Sequence, residues 1–303
     1  MISASLLRAA ENRRLEQLVT RNRLSRALVQ RYVAGTTLAE AITVAQQMQQ
    51  KNLQVSLDLL GESVQNLSEA SRATEDYVDT VRAIALQAPG ATVSVKLSQL
   101  GIAVDVEACV KNLQHLMEEA AVVGVLVEVD MEHSSVGRDT LEVFRRLLAD
   151  FPESRVAIQA ALRTTSADLE SFTGTKPRVR LVKGAYAEPL SRALLDKDEI
   201  VGQYQHLSTW ALRNLPDPAF GTHDDRCIDH VKTAAANAGV SPGEFEFQML
   251  YGVRRDLQEQ LAAQNYRVRL YVPFGTQWYP YLMRRIAERP ANLIFFLRSL
   301  VGG

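Results

Sequence analysis

The densest chemical capacity in this 303-residue chain lies in one short stretch, Tyr281-Leu-Met-Arg284-Arg285-Ile-Ala-Glu288. On a helix these four polar positions share one stripe, so a phenol, two guanidiniums and a carboxylate face the same way. Paired guanidiniums beside aromatic rings suit the recognition of a small carboxylate. The simpler reading is a solvated helix face with an Arg–Glu pair. The order of charges argues against it, because Arg before Glu is the poorer arrangement for an isolated i,i+4 pair. So does the setting. The stretch follows a predicted strand end and adjoins Tyr271, Phe274, Trp278 and Tyr279. Pro280 fits the first turn of this helix, and Pro290 predicts its end.

A second set of polar residues recurs where apolar runs stop: Glu62, Lys96, Asp130 with Glu132, Gln159, Arg180 with Lys183, Thr222 with His223, Gln248, and Tyr271. Charges at such places need partners. Each has a local reading. Lys96 could form a structural ion pair with Asp130 or Glu62. His223 could be a satisfied hydrogen-bonding residue. Arg178 and Lys183 could end a strand in water. Asp130-Met-Glu132-His133 could begin an oxygen-rich site for a divalent metal. However, Lys96 and Arg180 project to the same face and oppose a second cation, so no metal is expected.

The elements that must position these residues alternate. Predicted strands are Leu53–Gly61, Ala91–Ser98, Val125–Asp130, Arg155–Gln159, Arg178–Gly184, Pro218–His223, Glu244–Leu250 and a run from Arg267 to Gly275. Helices are predicted between them: from an Asn66 cap to Ala88, Val106–Val122, Thr140–Asp150, a short one near Ala167, a long region ending at Leu212, Asp225–Ala238 and Arg254–Gln264. This alternation predicts an α/β fold, a (β/α)8 barrel, whose chemistry sits at the carboxyl ends of its strands. Helices over Ser5–Val19, Ser25–Val33 and Leu38–Gln49 precede the first strand. Residues 1–50 are therefore expected to form a helical arm, and residues 51–303 the barrel.

Composition is that of a globular protein, 47% hydrophobic and 23% charged, with a formal net charge of -1 that gives no basic excess for nucleic acid. The two cysteines, Cys109 and Cys227, complete no zinc pattern and suit a reducing compartment. The polar start after Met1 does not read as a signal peptide, and no apolar run approaches a membrane span.

Taken in order, several segments resemble the proline dehydrogenase family, flavoenzymes that oxidise L-proline. They are Asp58-Leu-Leu-Gly-Glu62, Ser94-Val-Lys-Leu-Ser98, Val129-Asp-Met-Glu132, Arg180-Leu-Val-Lys-Gly-Ala-Tyr186, Thr222-His223, Phe247-Gln-Met-Leu250, Tyr271-Val-Pro-Phe-Gly275 and the Tyr281–Glu288 stripe. The resemblance covers about residues 50–300 and is strongest to the bacterial single-function branch. Arg289-Pro290 stands where bifunctional relatives have Asn-Gly or Asn-Thr. The chain is also short for their aldehyde dehydrogenase module.

The resemblance implies a distorted barrel with its last helix over the barrel top. It implies a catalytic set of Lys96, Asp130, Tyr271, Tyr281, Arg284 and Arg285. Arg284 and Arg285 would bind the proline carboxylate, with Lys96 nearby. Tyr271, Tyr281, Leu250, Ala185 and Tyr186 would shape the slot around the ring. Asp130 and Gln159 would contact the isoalloxazine. Arg180, Val182, Lys183, Gly184, Ala185, Thr222, His223, Gln248, Arg285, Glu288 and Phe295 would hold the rest of the flavin. FAD is expected, with FMN as the alternative, because Asp196–Tyr204 lacks the family's Thr-Lys adenosine segment. Implied partners are L-proline and a quinone electron acceptor, for a cytoplasmic protein that touches the inner membrane. The apolar run Leu293–Leu297 is expected to pack on the barrel rather than on lipid. Two other classes fit parts of the pattern: a metal-dependent lyase or isomerase acting on a small acid, and a non-catalytic proline-binding barrel.

Overall fold

The computed structural model describes residues 29–61 and 63–287, with the backbone alone for 284–287. Glu62, Glu288, Phe295, the run Leu293–Leu297, the predicted helix Ser5–Val19 and the start of the one over Ser25–Val33 lie outside the described residues.

Eight strands close into a parallel barrel in sequence order. They are β1 (Gln54–Leu59), β2 (Thr92–Val95), β3 (Val127–Val129), β4 (Arg155–Gln159), β5 (Arg178–Val182), β6 (Ala219–Gly221), β7 (Glu246–Leu250) and β8 (Arg267–Phe274). The helices are α1 (Leu38–Gln49), α2 (Leu67–Gln87), α3 (Val106–Val123), α4 (Ser134–Leu148), α5 (Thr165–Glu170), α6 (Lys197–Asn214), α7 (Asp225–Ala238), α8 (Arg255–Ala263) and α9 (Trp278–Ala287). Local sequence accounts for many of the helix starts. Thr37 and Glu40 form a capping box on α1, and Asn66, Asp105, Asp196 and Asp224 cap α2, α3, α6 and α7.

Two expectations change. α4 starts at Ser134, not Thr140, and its N-cap residue His133 makes no side-chain cap bond. The missing cap comes from the loop after β5, where Glu188 accepts from the Ser134 backbone N–H at 2.7 Å. Gly137 is then a buried residue inside the helix. The second change concerns the long helical region after β5. It is an irregular segment as far as Asp196, and helix begins only at Lys197.

The main core lies between the outward faces of the strands and the inward stripes of the helices. Leu57, Val93, Val95, Val129 and Phe247 are fully buried there against Tyr77, Val81, Leu113 and Leu261. Alternate residues along each strand point the other way, into the barrel. Barrel interiors are commonly layers of branched aliphatic side chains. This one is polar. Ser56, Asp58, Ser94, Glu128, Arg155, Gln159, Arg180, Glu246, Gln248 and Arg269 are all buried. Register sets Asp58 beside Ser94 and Ser94 beside Glu128, so the polar positions run laterally from strand to strand.

A second, smaller cluster joins α9 to the chain before α1. Trp278, Tyr279, Tyr281, Leu282 and Met283 pack with Tyr32, Val33 and Leu60. Backbone bonds fasten the same place: Ala34 N–H donates to Pro273 O at 2.8 Å, and Gly275 N–H to Gly35 O at 3.0 Å. Gly275 has φ of 122°, and a Cβ there would stand 3.2 Å from Leu60 O, so the turn from β8 into α9 needs glycine.

Candidate active site

Lys96, one residue beyond β2, points into the carboxyl end of the barrel. Its ammonium donates to Asp58 in a short contact, to Asp130 Oδ2 at 3.2 Å and to the Tyr271 hydroxyl at 3.0 Å. An ammonium has three protons, and all three are engaged. Tyr271 in turn donates to Asp130 Oδ2 at 2.6 Å. The other oxygen of Asp130 accepts from Ser94 at 2.8 Å and from Arg180. Arg180 also donates to Gln248 Oε1 at 3.1 Å and to the Ser94 hydroxyl at 3.1 Å. Lys96, Asp130, Arg180, Gln248 and Tyr271 therefore belong to one hydrogen-bonded network.

Charge is balanced within it. Burial works against ionisation of Asp130, but Arg180 and Lys96 outweigh it and hold the carboxyl below its ordinary range. Burial likewise opposes the Lys96 charge, yet Asp58, Tyr271 and Asp130 keep that amine protonated well above its usual pKa. Burial raises the Asp58 carboxyl; Lys96 offsets part of this and the Asp130 charge adds to it. Burial, then the charges of Asp130 and Asp58, push the Tyr271 phenol well above its usual value, so it remains a hydrogen-bond donor.

Beneath this layer lies another. Glu246 accepts from Arg155 at 2.6 Å and from Arg269 Nε at 3.0 Å. Gln248 Nε2 donates to Glu128 at 2.9 Å and to Glu246 at 2.6 Å, while its oxygen holds Arg180. Across both layers the carboxylates of Asp58, Glu128, Asp130 and Glu246 face the cations of Lys96, Arg155, Arg180 and Arg269. Buried ions survive only when paired and hydrogen-bonded in this way.

The remaining predicted residues lie around the rim. Gln159 donates to Glu132 O at 2.7 Å, outside the Lys96 network, and Glu132 accepts from the Ser98 N–H at 3.0 Å. Val182 and Lys183 are fixed where their carbonyls accept from Ala160 at 2.7 Å and Ala161 at 2.8 Å. Lys183 bonds Asp224 at 2.7 Å, and the Thr222 hydroxyl accepts from the Asp224 N–H at 3.2 Å. His223 Nε2 accepts from the Leu250 N–H at 2.9 Å. Ala185 is exposed and Tyr186 half-buried in the loop that follows. Tyr281 is buried in the α9 cluster, which removes it from a freely solvated helix face. The side chains of Arg284 and Arg285 lie outside the described residues. Lys96 finds its closest carboxylate in Asp58; of the two partners expected for it, Asp130 is bonded and Glu62 lies outside the described residues. Among the described residues no group of three or more His, Cys, Asp or Glu side chains could hold a metal ion.

Two features fit a planar, polar cofactor on this face. Arg180 Nε is buried and has no hydrogen-bond partner among the described residues. Gly184 has φ of 112°, and a Cβ there would stand 3.0 Å from Gln159 Oε1, so the backbone at the rim stays open where a side chain would crowd it.

A closed parallel barrel with charged side chains gathered at its carboxyl end has the architecture of a barrel enzyme. Comparison with known proteins narrows this. Residues 41–298 match the proline dehydrogenase family. The chain is 36% identical over 271 residues to proline dehydrogenase 1 of Bacillus subtilis subsp. natto, covering 89% of this chain and 90% of that protein. It is 35% identical over 304 residues to the proline dehydrogenase of Deinococcus radiodurans, covering 99% and 97%. Among solved structures, proline utilization A from Bdellovibrio bacteriovorus, inactivated by N-propargylglycine, matches with a TM-score of 0.82 at 26% identity. That match covers 87% of this chain and only 33% of the other. The chain belongs to the proline dehydrogenase family.

Proposed function

We propose that this barrel oxidises L-proline to Δ1-pyrroline-5-carboxylate with a bound flavin. The observation that carries the reading is the neutral network of Lys96, Asp58, Asp130, Arg180 and Tyr271 under α9, at the end of the barrel where substrates bind. The flavin supplies the acceptor for a hydride from proline C5. The protein supplies position and charge. Arg284 and Arg285 grip the carboxylate, which turns a small, weakly held molecule into an oriented one. Lys96 contributes positive potential rather than a free donor, because its protons are already engaged. Tyr271, Tyr281, Leu250, Ala185 and Tyr186 enclose the ring and keep water out. Asp130 and Gln159 serve the isoalloxazine side. Arg180, Val182, Lys183, Gly184, Thr222, His223, Gln248, Glu288 and Phe295 hold the remainder.

We assign FAD as the flavin and a quinone as the acceptor of its electrons. The place of action is the cytoplasm, with peripheral contact at the inner membrane. No described helix is long and apolar enough to cross a membrane. The catalytic unit is taken as residues 51–303, and the helix α1 that precedes them packs into the same core through Ala41, Ile42 and Ala45 rather than standing off as an arm. Turnover of L-proline with an artificial electron acceptor, and chemical trapping of the cyclic imine product, tests the reading. Reduction of the acceptor without imine would refute it.

A further inference from the structure

The loop after β5 carries Tyr186 and, two residues on, Glu188. Although the neighbouring Gly184, Ala185, Ala187, Pro189 and Leu190 are exposed, the Glu188 side chain is only 7% exposed. Both its oxygens are used on a different loop. One accepts from the Ser134 N–H at 2.7 Å and the other from the Ser134 hydroxyl, at the first residue of α4. His133, just before Ser134, packs its ring against Tyr186 with centroids 4.3 Å apart and planes inclined by 52°, and its Nδ1 lies 3.6 Å from Glu188. Arg192, further along the β5 loop, donates to the Ser134 hydroxyl at 3.2 Å. A carboxylate at a helix N-terminus is favourably placed in charge. Burial opposes its ionisation, but the Ser134 bonds, His133 and Arg192 hold it below the ordinary carboxylate range.

We infer that Glu188 is a positioning residue: by locking the β5 loop onto the start of α4, it fixes the Tyr186 ring against His133 and so sets the affinity of the substrate slot. The reasoning is mechanical. On either side of Tyr186 the loop is anchored to the end of β4, through Lys183 O to the Ala161 N–H at 2.8 Å and through the Leu194 N–H to Ala161 O at 2.8 Å. Between these anchors the backbone around Tyr186 is exposed. Glu188 supplies a tertiary fastening there, and its partner Ser134 is four residues from Asp130. The inference rests on the proposed function, because it takes Tyr186 as a wall of the proline slot.

The test is a double-mutant cycle on the flavin-loaded protein with Glu188→Ala, Tyr186→Ala and the pair. The readouts are the affinity for tetrahydrofuran-2-carboxylate by calorimetry and the KM and kcat for proline. Loss of hydrogen bonds to a charged group should weaken inhibitor binding by about tenfold in E188A. KM should rise in parallel, with kcat changed far less. In the Y186A background the same change should add almost nothing. Glu188→Gln, which can still accept from Ser134, should restore at least half of the lost binding free energy. Equal losses with and without Tyr186, or unchanged inhibitor affinity in E188A, would overturn the inference. If E188A does not fold, Ser134→Ala in the same cycle decides, since it removes one of the two bonds. A parent protein that binds the inhibitor but is not reduced by proline would refute the proposed function instead, leaving the cycle intact.

Discussion

The Tyr271 hydroxyl lies 2.6 Å from Asp130 Oδ2, donating to it, while Lys96 donates to the same hydroxyl at 3.0 Å. One phenol thus ties β8 to residues following β2 and β3. Replacing Tyr271 by Phe removes the oxygen and leaves Lys96 and Asp130 each short of a partner in a buried site. Stability should fall by about 1–3 kcal/mol. Turnover should fall by about tenfold. Thermal unfolding and steady-state kinetics measure the two effects, and parent values in both would remove Tyr271 from the site.

Asp130 neutralises two cations at once. Asp130→Asn keeps the shape and removes the charge, so turnover should fall by roughly one to three orders of magnitude, as for loss of a preorganised polar group. Asp130→Ala should in addition destabilise the fold by about 3 kcal/mol, because it leaves Arg180 and Lys96 with too few acceptors. A variant that melts normally and turns over at the parent rate would show that Asp130 has no catalytic part.

Arg284 and Arg285 lie on a helical backbone one turn past the buried Tyr281. Replacing either by Met should raise KM for proline by at least about tenfold, since a hydrogen bond to a charged group is worth roughly 1.5–3 kcal/mol. Tetrahydrofuran-2-carboxylate should lose affinity to match, whereas pyrrolidine, which has no carboxylate, should respond little. Equal binding of the acid by parent and variants would place the clamp elsewhere.

Acid should expose another fastening. Burial raises the Asp224 carboxyl, but its bonds to Arg226 and Lys183 hold it down to about 2, against an ordinary 3.8. A depressed folded pKa stabilises above the unfolded value, and the gain is lost as pH falls from about 4 through about 2. The group is partly open to water, so the effect is on the order of 1 kcal/mol. Asp224→Asn should flatten the pH dependence of stability in that window and loosen flavin retention through Lys183. Denaturant midpoints taken across the window would decide, and identical slopes for the two proteins would contradict the assignment.

Much of this was legible in the chain. Eight apolar runs alternating with predicted helices gave the barrel, helped by a local cap such as Asn66 that marks its own helix. The α4 start was not legible because its cap, Glu188, lies 54 residues away. The strand ends drew attention to Lys96, Asp130, Arg180, Gln248 and Tyr271 among other polar residues, and the structure joins the side chains of these five by hydrogen bonds. Asp58 was not expected as a partner of Lys96, because Glu62 stands nearer the visible end of that strand. The lower layer was not legible, since Glu128, Arg155, Glu246 and Arg269 lie within or at the start of their strands rather than at the carboxyl ends. A period-two signal was present all the same. Glu128 precedes Asp130, Glu246 precedes Gln248 and Arg269 precedes Tyr271 by two residues, which puts each pair on the same face of its strand.

The central claim is that proline delivers electrons to a flavin held in this barrel, and one anaerobic titration addresses it. The purified protein should be yellow, and acid denaturation should release all of that colour, because both cysteines are buried and His223 Nε2 already accepts from the Leu250 N–H. Adding L-proline without oxygen should bleach the visible flavin band with no added metal, and D-proline should do so far less readily. A colourless protein, or a flavin spectrum that L-proline leaves unchanged, would contradict the account.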